Sequence, residues 1–184
     1  MNLANKFSMT RLLLSPVFVL SVIFYRSDDA VFANLPLGIF IAAIITDVCD
    51  GYIARRLNQI TALGKVLDPL ADKLLLTVAF VSLSLSQSIG ADMRIPVWVM
   101  IIIITRDIFI LIGAGIIYLL LEYIEFKPTN LGKTTTFVQM MTVLSVLLKV
   151  PYSYVIWDTA VFFTLLSGLQ YLIRASDIIS ERYK

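Results

Sequence analysis

The sequence predicts an all-α, polytopic membrane protein: one domain over residues 1–184 that forms a bundle of six transmembrane helices. Three observations predict it. The chain is 59% apolar with only 15% charged residues, and its mean hydropathy is +0.88. Soluble domains average roughly 45–50% apolar and about 25% charged residues, so a water-bounded core would not absorb this much apolar surface. The apolar residues also fall into six runs of about the 20 residues that a spanning helix requires.

Those runs are approximately 9–26, 32–56, 66–88, 95–122, 133–150 and 155–180. Polar or helix-breaking stretches separate them: Arg26-Ser-Asp-Asp29, Asn58-Gln-Ile-Thr61, Gly90-Ala-Asp92, Lys127-Pro-Thr-Asn130 and Lys149-Val-Pro151. Leu12–Leu20 is similar to the core of a signal peptide, but Phe, Tyr and Arg follow it rather than a small-residue cleavage site, so it reads as the first span. Residues Met1–Ser8 read as a short interfacial helix leading into that span. Two starts are open for the third: Asp68 as N-cap with Pro69 at the first helical position, or Thr61 as the cap of a helix that Pro69 kinks.

Basic residues orient the bundle. Lys6, Arg11, Arg55, Arg56, Lys65, Lys73, Lys127, Lys133, Arg174, Arg182 and Lys184 fall on one side, against Arg26, Arg94 and Lys149 on the other. This asymmetry places both termini in the cytoplasm. A net charge of +2 without a basic run argues against a nucleic-acid partner. There is no histidine, and Cys49 is the single cysteine. That excludes Ser-His-Asp catalysis, phosphohistidine chemistry and an intrachain disulfide. A metal would have to be held by oxygen, which favours Mg2+ or Mn2+.

Oxygen ligands are present in a pattern. Asp47 and Asp50 are three residues apart near the end of the second run, and Asp68 and Asp72 are four apart at the start of the third. On helices, each pair shares a face. Gly51 and Ala54 lie on the first face and Gly64 on the second, leaving room for a ligand or for close helix approach. Four converging carboxylates repel one another and are costly to desolvate, and a divalent cation, or a pair of them, offsets that cost. Arg55, one turn beyond the first pair, suits a pyrophosphate bridging metal and guanidinium.

Written out, the segment is Asp47-x2-Asp50-Gly51-x2-Ala54-Arg55-x8-Gly64-x3-Asp68-x3-Asp72, eight defined positions in 26 residues. It resembles, without exception, the signature of the CDP-alcohol phosphotransferases, and the six-helix pattern extends the likeness over nearly the whole chain. Within that family the chain most resembles the bacterial phosphatidylglycerophosphate synthases. Ala4-Asn5-Lys6-Phe7-Ser8-Met9-Thr10-Arg11 is similar to their Pro-Asn-x-Leu-Thr-x-x-Arg entry to the first span: Asn5 and Arg11 match, Ser8 is a conservative substitution and Ala4 departs. Ser167-Gly168-Leu169-Gln170-Tyr171 resembles their Ser-Gly-x-(Asp/Glu)-Tyr, with Gln170 as a departure. Gly132-Lys133-Thr134-Thr135-Thr136, followed by Gln139, resembles their Gly-Lys-x-Lys-Thr, with the second lysine replaced by Thr135.

The resemblance implies transfer of a phosphatidyl group from CDP-diacylglycerol to an alcohol, with release of CMP, at the cytoplasmic face of a bacterial inner membrane and in a homodimer. It implies that Asp47, Asp50 and Asp68 hold two Mg2+ or Mn2+ ions, with Asp72 as a further ligand, as general base for the acceptor hydroxyl, or as both. Asn5, Ser8, Asp50, Gly51, Ala54, Arg55 and Gly64 would bind the donor. If the acceptor is glycerol 3-phosphate, Arg106, Lys133 and Arg174 are the cations for its phosphate. Arg106 lies inside the fourth span, where an unpaired charge is expensive; pairing with Asp107 is its alternative role. Lys133 and Arg174 would otherwise be snorkelling surface charges. Phosphatidylglycerol, inositol phosphate and serine are alternative acceptors. A cation transporter is the rival of another class, but it predicts carboxylates near the bilayer midplane rather than beside the basic turn Arg55-Arg56.

Overall fold

A computed structural model describes residues 3–57, 62–90, 94–121 and 129–182, with side chains described for 9–47, 73–90, 94–113, 115, 129–177 and 180. The described residues form six α-helices and no strand: α1 (Leu3–Ile23), α2 (Ala30–Leu57), α3 (Ala62–Leu85), α4 (Val97–Leu121), α5 (Asn130–Leu147) and α6 (Ser153–Arg182). Each expected apolar run holds one helix. Among the described residues, the helices over Ala30–Asp47 and Ser153–Asp177 are long and apolar enough to cross a membrane.

Two helix starts differ from simple readings of the sequence. Among the described residues the stretch before the first span is not a separate helix, because α1 is continuous from Leu3 to Ile23 with Pro16 inside it. The third helix is already formed at Ala62. Asp68 and Pro69 therefore lie inside α3, which rules out Asp68 as its N-cap; Thr61, the other expected cap, lies outside the described residues.

The chain divides into two compact units, Met1–Ile95 with Val143–Val150, and Pro96–Thr142 with Pro151–Lys184. In the first, α1 packs against both α2 and α3. Phe18 and Phe40, both fully buried, meet with ring centroids 5.7 Å apart, and Leu76, Ala79, Phe80 and Leu83 supply the α3 side of the core. Asp29 caps α2, its Oδ1 accepting from the Val31 amide at 2.9 Å. Hydroxyls tie the loops down: Ser84 Oγ donates to the Ile95 carbonyl at 2.9 Å, and Ser88 Oγ to that of Ile23. The Arg94 guanidinium donates to the carbonyls of Ile89 and Gln87.

The C-terminus of α5, also in this unit, closes with amides of Lys149 and Val150 donating to the carbonyls of Val146 and Ser145. This is the paired-bond helix stop that requires a left-handed residue, and Lys149 supplies it at φ 54°. Its ammonium lies 5.7 Å from the centre of the Tyr25 ring.

In the second unit α4 packs against α6. Val99 and Ile103 of α4 and Ala160 and Val161 of α6 are buried. Much of the remaining apolar surface faces outward: Leu13, Phe109, Phe162 and Leu172 are each more than 60% exposed. Exposed large apolar side chains in such number mark surfaces that meet something other than water.

Helices in lipid associate through packing rather than through removal of apolar area from water. Phe18→Ala should therefore cost about 2 kcal/mol or more through its cavity. Leu13→Ala, at a 69% exposed position, should change stability by less than about 0.5 kcal/mol. Denaturation of both variants in detergent micelles measures the contrast.

Candidate active site

The acidic signature lies on two helices that α1 contacts. Asp47, Asp50, Gly51, Ala54 and Arg55 are on the last three turns of α2, and Gly64, Asp68 and Asp72 are on the first three turns of α3. Of these, Asp47 is the residue whose side chain is described. The side chains of Asp50, Ala54, Arg55, Asp68 and Asp72, with those of Asn5 and Ser8 on α1, lie outside the described residues, as do the surroundings of Gly51 and Gly64.

Asp47 is bound to a residue to which spacing assigned no part in the site. Arg11 of α1 places Nη1 2.7 Å from Asp47 Oδ1. The Arg11 side chain is 2% exposed and that of Asp47 33%. The cation is thus buried and its acid reaches the surface. Nothing in local spacing pairs residues 36 apart. The available hint was an arginine beside the apolar run Leu12-Leu13-Leu14, where an unpaired cation is costly. A groove of about 430 Å3 also opens along α1 and α3, lined by residues such as Val19, Val22, Val81 and Leu85. At 1.5 Å per residue it begins about 12 Å further along α1 than Arg11, so it is not the pocket of the acidic residues.

The candidate acceptor cations lie in the other unit. Arg106 is mostly buried, with Nη1 2.6 Å from Asp107 Oδ1 and Nη2 donating to Ser167 Oγ of α6. Its Nε is buried without a hydrogen-bond partner. Gly168 of α6 faces the Arg106 stem, where a Cβ would stand in van der Waals contact, 3.4 Å from Arg106 Cγ. Thr129 caps α5, its Oγ1 accepting from the Gly132 amide at 2.9 Å, and a Cβ on Gly132 would lie 3.9 Å from Ser167 Oγ. The Ser167 hydroxyl thus marks the point where α4 and the first turn of α5 meet α6. Lys133 and Arg174 are exposed.

Thr135, at the position of the replaced lysine, is fully buried. Its Oγ1 lies 2.8 Å from the Leu131 carbonyl and 3.1 Å from that of Phe163, joining α5 to α6. One turn on, Gln139 Nε2 donates to Thr164 Oγ1 at 3.2 Å. Both residues serve helix packing. Ser167 had been visible only as part of a motif, because a partner 61 residues away leaves no trace in local spacing.

The family model for CDP-alcohol phosphatidyltransferases matches residues 1–166. The chain belongs to the CDP-alcohol phosphatidyltransferase family. Among its relatives is the CDP-diacylglycerol–glycerol-3-phosphate 3-phosphatidyltransferase of Bacillus subtilis, 36% identical over 92% of this chain and 93% of that protein. The enzyme of the same name from Aquifex aeolicus is 36% identical over 79% of this chain and 75% of its own length. Human cardiolipin synthase (CMP-forming) is 34% identical over 91% of this chain and 59% of its own length. As a member of this family the chain is a transferase, and the residues of its signature stand on α2 and α3.

In the α4–α6 contact, a Cβ on Gly113 would fall 3.0 Å from the Tyr171 ring, whereas one on Gly115 would meet nothing within 4 Å. Gly113→Ala should destabilise the phosphatidyltransferase by about 1–3 kcal/mol through overpacking. Gly115→Ala should be neutral or stabilising by up to about 1 kcal/mol through helix propensity. Pairing Gly113→Ala with Tyr171→Leu should restore stability, as read from thermal midpoints in micelles.

Proposed function

We propose that the chain transfers a phosphatidyl group from CDP-diacylglycerol to sn-glycerol 3-phosphate, yielding phosphatidylglycerophosphate and CMP for phospholipid synthesis. The observation that carries this reading is the uninterrupted eight-position signature on α2 and α3, supported by the names of the bacterial relatives. In this reading all six helices span the membrane as one domain. The shortest, α5, has 18 residues, about 27 Å at 1.5 Å per residue, close to the roughly 30 Å hydrocarbon core. Both termini and the active site face the cytoplasm of a bacterial inner membrane, and two chains form a homodimer.

The donor set fits a hard cation. It is all oxygen, histidine is absent from the chain, and the described member, Asp47, is a third exposed with Oδ1 on Arg11. A carboxylate so held has a second oxygen for a metal. Asp47, Asp50, Asp68 and Asp72 would hold two Mg2+ or Mn2+ ions, which when bound stabilise negative charge on the donor's pyrophosphate. Arg55 would support the same charge, while Gly51, Ala54 and Gly64 would admit the nucleotide and Asn5 and Ser8 would contact it. Asp72 would take the proton of the acceptor hydroxyl. The acceptor oxygen then bonds directly to the diacylglycerol-bearing phosphorus as the bond to CMP breaks, in line and without a covalent enzyme intermediate.

The acceptor phosphate would be held by Arg106, Lys133 and Arg174. The partnerless buried Nε of Arg106 and the capped N-terminus of α5 beside Lys133 favour an anion there. A second acceptor, phosphatidylglycerol, is favoured by the similarity to human cardiolipin synthase.

Two measurements test the reading. Purified protein with CDP-diacylglycerol and Mg2+ should release CMP at least tenfold faster with glycerol 3-phosphate than with phosphatidylglycerol, inositol phosphate or serine. A preference for phosphatidylglycerol selects the second acceptor. Arg106→Ala should raise the KM for glycerol 3-phosphate about tenfold or more while leaving that for CDP-diacylglycerol unchanged, as loss of a charge-assisted contact requires. An unchanged KM removes Arg106 from the site.

A further inference from the structure

We infer that Arg11 is a positioning residue that presets Asp47 for cation binding; this rests on the proposed reading of Asp47 as a cation ligand. The geometry is asymmetric. Asp47 is one-third exposed and can be hydrated without help, whereas the Arg11 side chain is 2% exposed. Mere neutralisation of Asp47 would not require a cation sunk in the packing of α1 against α2 and α3. A guanidinium fixed there does something a mobile surface lysine does not: it pins one named oxygen. With Oδ1 paired at 2.7 Å, turning of the carboxylate is restrained and Oδ2 is the oxygen left for a ligand. Asp47 then offers one oriented oxygen instead of a freely turning pair. Outer contacts of this kind orient metal ligands, and their loss typically costs about 10–100-fold in metal affinity.

Arg11 also stands on a helix that carries none of the four acidic residues but contacts both helices that do. The position of α1 is thereby tied to the geometry of the first ligand. A guanidinium that merely competed with the metal for Asp47 would have the opposite sign, and a simple interhelical clamp would have no effect on metal binding.

The test is Mn2+ titration of the purified full-length chain in micelles with CDP-diacylglycerol, following free Mn2+ by electron paramagnetic resonance. Arg11→Met, which keeps an apolar stem and removes the charge, should weaken Mn2+ binding by about tenfold or more. Arg11→Lys should recover part of it, because an ammonium reaches an oxygen without the planar fork. In an Asp47→Asn background, Arg11→Met should produce no further loss. Unchanged Mn2+ affinity in Arg11→Met, even with a lowered thermal midpoint, overturns the inference in favour of a clamp. Tighter binding overturns it in favour of competition. If Arg11→Met does not fold, Arg11→Lys decides: a loss of about threefold or more supports the inference and none overturns it. Absence of Mn2+ binding by the parent protein overturns the ligand reading of Asp47 and this inference with it. Equal binding by parent and Arg11 variants overturns this inference alone.

Discussion

A buried guanidinium needs a carboxylate, and that need organises the first half of the chain. Arg11 is 1% exposed in α1, beside the apolar run Leu12-Leu13-Leu14. Its ion pair with Asp47 joins α1 to α2, and the fully buried Phe18 and Phe40 join the same two helices seven residues away on each. Charge contact and ring contact thus lie two turns apart along both elements. Together they determine the register of α1 on α2. That register decides which turn of α2 meets the arginine, and the turn is the one that opens the acidic signature.

The second unit solves the same problem differently. Arg106 is also nearly buried, but its acid is the adjacent Asp107 and its second partner the Ser167 hydroxyl. Neither partner belongs to the acidic signature. A satisfied polar network in a low-dielectric setting rigidifies the helices that carry it, whereas an incompletely satisfied one is costly. Arg106 keeps one buried N–H without a partner, while the described contact of Arg11 is directed at a proposed ligand. The two arginines therefore divide the work in the proposed function: one orients a carboxylate, and the other retains donor capacity for an anion.

The helices were readable from sequence because apolar runs and polar breaks are local signals. Where the reading slipped, the reason was also local. Nothing in Leu3–Ser8 breaks a helix, so α1 runs on from Leu3, and Pro69 is tolerated within α3, which is already helical at Ala62. The signature aspartates were visible because three- and four-residue spacings define a helix face. The Arg106–Asp107 pair was visible because the residues are adjacent. Arg11 with Asp47, and Arg106 with Ser167, were hidden because helix spacing says nothing about which turn of a distant helix will be opposite. Burial of a charged residue was the sequence-level warning in both cases, but it names no partner.

Thr135 shows how a departure from a family motif should be weighed. Loss of a lysine at that position would count against an anionic acceptor if the position faced the site. It is instead fully buried, with its hydroxyl against the carbonyls of Leu131 and Phe163. A lysine there would have to leave its ammonium in the helix contact or carry it out along its stem, and threonine removes that demand while adding a bond from α5 to α6. The replacement therefore tightens the packing behind Lys133 rather than emptying an anion site. Among the described residues, Arg106, Lys133 and Arg174 still supply three positive charges on α4, α5 and α6, so the cation complement proposed for glycerol 3-phosphate does not depend on the missing lysine.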